Sequence, residues 1–93
     1  MSHADHTASF SFQYDTERCA RIVTDAVSIE VGELAEDRAH ATVSRDGSTV
    51  TVTVHATDLI ALRAGTNSWL RLVSVAESIA DMVSYSTEDP NTK

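Results

Sequence analysis

Between residues 38 and 56 the chain reads RAHATVSRDGSTVTVTVHA. Apolar and polar residues alternate on both sides of Asp46-Gly47, the period of half-buried strands. Asp-Gly between two such runs predicts a β-hairpin closed by a type I′ turn. A two-residue turn sets Arg45 opposite Ser48. Val43 then pairs with Val50, Ala41 with Val52 and Ala39 with Val54, all on one face. The other face carries His40, Thr42, Ser44, Thr49, Thr51, Thr53 and His55. In that register His40 stands opposite Thr53 and His55 opposite Arg38.

The segments on either side set the rest of the fold. Upstream, ASFSFQY (8–14) alternates Ala8, Phe10, Phe12 and Tyr14 with Ser9, Ser11 and Gln13, which predicts a third strand. At DTERCARIVTDAVSIEV the period becomes helical. Asp15 or Thr16 caps this helix, Ala20, Val23, Ala26 and Val27 form its apolar stripe, and Gly32 is its expected stop. GELAED then reads as a connecting loop. Downstream, Thr57 or Asp58 caps a long helix to about Ser84, roughly 27 residues and ~40 Å. The order β-α-β-β-α gives an α+β fold, a three-stranded antiparallel sheet with two helices on one face. Residues 1–7 are read as a disordered arm, 8–84 as one domain and 85–93 as a polar tail.

The long helix is more apolar than one packing face requires. On a helical wheel one stripe holds Leu59, Leu62, Thr66, Trp69, Leu70, Val73, Ala76, Ala80 and Val83. A second holds Ala61, Ala64, Ser68, Leu72, Val75, Ile79 and Met82. If both stripes are covered within the fold, one meets the sheet and the other the first helix. Strands of seven to nine residues, however, span only ~23–30 Å. A ~40 Å helix overhangs them, with apolar side chains on the overhang, and such surface marks an interface. Ala61, Ala64, Gly65 and Ser68 are small enough for close helix approach. On the remaining side Arg63, Asn67 and Arg71 stand at i, i+4 and i+8. Two arginines around an asparagine can grip a carboxylate, a phosphate or exposed backbone ends. Gly65-Thr66 gives up helix propensity beside them.

Composition narrows the function classes. Ninety-three residues form one domain, and a chain this short buries only about 60% of its unfolded surface, which favours oligomerisation. Fourteen acids against seven bases give a formal charge of −7, and Lys93 is the single lysine. Acid-rich, lysine-poor surfaces suit a high-salt cytosol, so a halophilic source is expected. The charge argues against an independent nucleic-acid binder. The single cysteine, Cys19, excludes an internal disulfide and fits a reducing, cytoplasmic setting. No signal peptide and no membrane-spanning run is visible.

Nothing in the chain assembles into chemistry. His3 and His6 fall in the expected arm. His40 and His55 face neither each other nor any cysteine or carboxylate in the expected register, so no metal site is read. No nucleophile elbow, phosphate loop or dinucleotide fingerprint occurs. No catalytic residue and no cofactor is expected.

LRAGTNSWLRLV (62–73) resembles the L-R-A-x-x-N-S-x-L-R signature of the Pcc-type small subunit of the KEOPS complex, the CTAG/Pcc family. The likeness extends from about Ser9 to Val83: the aromatic-alternating first strand, the helix ending near Glu30, the Asp-Gly hairpin and His-Ala-Thr-Asp before the long helix. The resemblance implies a noncatalytic subunit that forms a homodimer and docks its helices on a Kae-type catalytic subunit. It implies support for threonylcarbamoyladenosine modification of tRNA, with tRNA held through the assembled complex. The signature residues carried over are Leu62, Arg63, Ala64, Asn67, Ser68, Leu70 and Arg71; Gly65 stands where alanine is common. The expected partner-binding or dimer surface comprises Ala61, Arg63, Ala64, Asn67, Ser68, Arg71, Leu72, Val75, Ile79 and Met82. Whether a sheet edge, the helices or both dimerise stays open. The alternative is a small RNA-binding module acting alone, although its polar sheet face has no aromatic stacking residues.

Overall fold

The computed structural model describes residues 6–33 and 38–88. Strand β1 (His6–Gln13) leads into helix α1 (Glu17–Ser28) and a short helix α2 (Glu30–Glu33). Strands β2 (Ala39–Asp46) and β3 (Thr49–Ala56) form the hairpin, and helix α3 (Leu59–Glu88) follows. The sheet is antiparallel in the order β1-β3-β2. The α+β architecture read from the sequence is therefore the one observed, with β1 at an edge.

β3 is the central strand because it has an apolar residue at every second position. Val50, Val52, Val54 and Ala56 are all buried. Opposite them on β1 lie Phe12, Phe10, Ala8 and His6. β1 begins at His6, not at Ala8: β3 runs on to Ala56, so His6 and Thr7 still find backbone partners in Ala56 and His55. His6 is thus a strand residue. The rest of the expected arm, His3 included, lies outside the described residues.

The hairpin register differs from the expected one by two residues. Asp46 pairs with Thr49, and Gly47 and Ser48 form the turn. Val43 therefore lies opposite Val52, Ala41 opposite Val54 and Ala39 opposite Ala56. A slip of two keeps every side chain on its own face, so alternation cannot distinguish the two registers. Turn chemistry can. Gly47 has φ +65, and no non-glycine residue among those described has positive φ. A type I′ turn centred on Asp46-Gly47 would force Asp46 into the left-handed region; Gly47-Ser48 confines that conformation to glycine, the preference of a type II′ turn. The observed register also brings Ala56 into the core. Arg45 closes the hairpin by donating to the Gly47 carbonyl at 2.9 Å and to Glu17 Oε2 at 3.1 Å.

Both helices lie on the Val50–Ala56 face. Thr16 caps α1, its hydroxyl accepting from the Cys19 N–H at 3.0 Å, and Glu17 sits in the first turn where the helix dipole favours an acid. Ala20, Val23 and Val27 are buried. Gly32 does not stop the helix: Ile29 stays right-handed (φ −59, ψ −33), and α2, which contains Gly32, follows. Residues 34–37 of the expected loop lie outside the described residues. α1 packs on β2 and β3, while α3 touches all three strands and α1.

α3 starts where Asp58 caps it, Oδ1 accepting from the Ala61 N–H at 2.8 Å. Arg38 donates to the same carboxylate through Nε and Nη2. The cap and the ion pair together hold the Asp58 carboxyl below its ordinary range, the Ala61 N–H being the larger cause. The helix continues to Glu88, four residues past the expected end. No glycine or proline interrupts the chain between Ser84 and Glu88. Residues 89–93 of the expected tail lie outside the described residues. No helix among the described residues is long and apolar enough to cross a membrane.

Candidate functional site

α3 buries one seam. Ala61, Trp69, Val73, Ala76 and Ala80 are buried, with Leu62 and Leu72 packed on the flanks of the core formed by Val23, Val27, Val52 and Val54. Trp69, Val73, Ala76 and Ala80 belong to the first stripe read from the wheel, and Ala61 to the second. Ala61, expected on the partner surface, is only 9% exposed within this chain. Leu72, also expected there, is half-buried against the core.

Gly65 belongs to the same seam. A Cβ built on it would lie 3.1 Å from Val54 Cγ1 and 3.8 Å from Ala39 Cβ. The small residue at the helix centre is therefore a packing device. It lets α3 cross the sheet at close range, and the loss of helix propensity there needs no binding role.

The remaining sites divide between two exposed faces. Val75, Ile79 and Met82 are 52%, 43% and 67% exposed. With Ser68 and Leu72 they recur at intervals of four, three, four and three residues, the spacing of a coiled-coil seam. Ala64 and Ser68 continue this line toward the N-terminus and are exposed. There they border a cavity of about 170 Å³ shared with Ala39, Ile60 and Gly65. Thirty residues of helix reach ~45 Å. Eight-residue strands reach only ~27 Å. The exposed line thus extends past the sheet. Arg63, Asn67 and Arg71 lie on the solvent side of α3, all exposed, Arg71 being nearest the apolar line. Among the described residues neither arginine has a hydrogen-bond or ion-pair partner.

Tyr14 anchors the far end of the sheet to α3. Its hydroxyl donates to Glu77 Oε2 at 2.7 Å, and its N–H to the Ser48 carbonyl at 2.9 Å. Burial, then the hydrogen bond and charge of Glu77, push the Tyr14 pKa upward. The residues are 63 apart in sequence, and the sequence reading missed them: no local pattern signals such a pair. Cys19 is half-buried, and burial also raises its thiol pKa, which makes it a poor nucleophile.

The outer sheet face is polar and nearly uncharged. Ser9 and Thr53 hydroxyls meet at 3.0 Å, as do those of Ser11 and Thr51. His40 stands directly opposite His55, correcting the expected pairs His40–Thr53 and His55–Arg38. Their rings stack with centroids 4.9 Å apart. No group of three or more metal-ligating side chains occurs among the described residues. The arrangement offers surfaces for association.

A family model described as "Transcription factor Pcc1" matches residues 7–81. No curated protein matches the chain significantly. Among solved structures, a chain of "Crystal structure of binary complex Gon7-Pcc1" superposes with a TM-score of 0.75 at 22% identity, covering 86% of this chain and 98% of that one. At that identity the likeness is one of fold.

Proposed function

This chain belongs to the Pcc1 family, and on that premise we propose that it is a noncatalytic, dimerising subunit of a KEOPS complex. In this reading it docks on a Kae-type catalytic subunit and supports threonylcarbamoyladenosine modification of tRNA, with tRNA held by the assembled complex. The observation that carries the reading is the exposed line Val75, Ile79 and Met82 on a helix that outruns its own sheet. Side chains of that kind at coiled-coil spacing suit a helical partner. Ala64 and Ser68 allow close approach at one end of the line. Arg63, Asn67 and Arg71 offer charged and amide donors beside it.

The charge of −7 weighs against direct, independent binding to nucleic acid, whether as an RNA-binding module or as a transcription factor reading DNA. The sheet face, with hydroxyls in place of stacking aromatics, points the same way. Copurification of the chain from its host, in the salt of its own cytosol, tests the proposal. A Kae-type protein recovered with it supports the reading; a chain recovered alone contradicts it.

A further inference from the structure

We propose that His40 and His55 form a two-imidazole site for a divalent transition-metal ion on the outer face of the sheet. The observed register makes them Cα partners on neighbouring strands, on the face away from the helices. The ring centroids are 4.9 Å apart and the planes only 20° from parallel. Two nitrogens bound to one ion at ~2.1 Å lie roughly 3.4 Å apart in a tetrahedral shell. Because imidazole lone pairs lie in the ring plane, binding requires the two rings to rotate out of their stack until the lone pairs converge on the ion.

The surroundings favour this use. Thr7 Oγ1 lies 3.5 Å from His55 Nδ1. In the tautomer whose Nδ1–H donates to Thr7, the His55 lone pair is on Nε2 and open to a metal. The nearest cationic side chain along β2, Arg38, is held bidentately by Asp58. The net charge of −7 draws cations to the surface. Imidazole suits copper, nickel and zinc and discriminates against magnesium. With two protein ligands, the other coordination positions remain open to water or to a donor from another molecule.

The test uses the full-length chain with His3 and His6 replaced by alanine, so that their imidazoles do not compete, and with no histidine tag. Binding of Ni²⁺, Zn²⁺ and Cu²⁺ is followed by calorimetry and by NMR of the His40 and His55 ring protons. Expected is one ion per chain, tightest for Cu²⁺. Both rings should respond together, and either His40→Thr or His55→Thr should weaken binding at least about tenfold. Threonine suits a strand, and both variants should melt like the parent without metal. Absence of binding, retention of affinity in both variants, or an equal response to Mg²⁺ overturns the proposal.

Discussion

Gly65 lies so close to Val54 that a methyl group on it would stand 3.1 Å from Val54 Cγ1. The missing side chain leaves room for α3 at this height above the sheet, which accounts for a glycine inside the longest helix. It also leads to a direct expectation. Gly65→Leu should destabilise the fold by about 1–3 kcal/mol, the usual cost of overpacking. Urea denaturation reads this as a lower midpoint at constant slope. An unchanged midpoint would show that α3 does not approach the sheet at this point.

Tyr14 and Glu77 give a second expectation. Tyr14→Phe removes a hydrogen bond to a carboxylate and should cost about 1–2 kcal/mol. The pH dependence has a definite sign. Because the folded state raises the Tyr14 pKa, its contribution is fully present below the unfolded value near 10. It is lost as pH rises above that value, where the unfolded chain ionises first. The wild-type chain should therefore lose stability in alkali more steeply than Tyr14→Phe. Parallel curves would contradict the pair.

Asp58 behaves in the opposite direction. Its pKa is lowered by the Ala61 N–H and by Arg38, so its contribution is present above the unfolded carboxylate range. It disappears as pH falls through the folded value. Asp58→Ala should lower the melting temperature at neutral pH, Asp58→Asn less so because asparagine still caps. Melting curves of wild type and Asp58→Asn should converge in acid. A difference that persists there would place the effect elsewhere than in the carboxylate.

The proposed docking line separates assembly from stability. Val75→Asp and Ile79→Asp change exposed positions and should leave the melting temperature of the isolated chain nearly unchanged, within roughly 0.5 kcal/mol, while abolishing partner capture. Val73→Asp, two residues from Val75 but buried, should unfold the chain. Arg63→Glu should weaken capture without a stability cost. If the Val75 and Ile79 variants assemble normally, the exposed line is not the interface.

The fold was legible where a period decides it. Phe10 and Phe12 alternate, Val50 through Ala56 alternate, and Asp58 caps a long apolar-striped helix; each sets an element before any tertiary contact forms. The hairpin register was not fixed by alternation, because a shift of two residues leaves the pattern intact and only Gly47's positive φ separates the alternatives. That shift is what brings His40 against His55. The helix wheel located the exposed Val75, Ile79 and Met82. It misplaced Ala61, because a wheel shows which residues share a face and not which faces the sheet covers. Gly65 was read beside Arg63 and Arg71 as a mark of binding, since its neighbour Val54 comes from another strand and is invisible locally.

The most direct test of the proposed role is multi-angle light scattering of the complex that copurifies with the tagged chain at native salt, with mass spectrometry of its subunits. The expected result is a Kae-type subunit with two copies of this chain, lost on Ile79→Asp. A lone monomer, with the Val75–Met82 line intact and no partner retained, would contradict it.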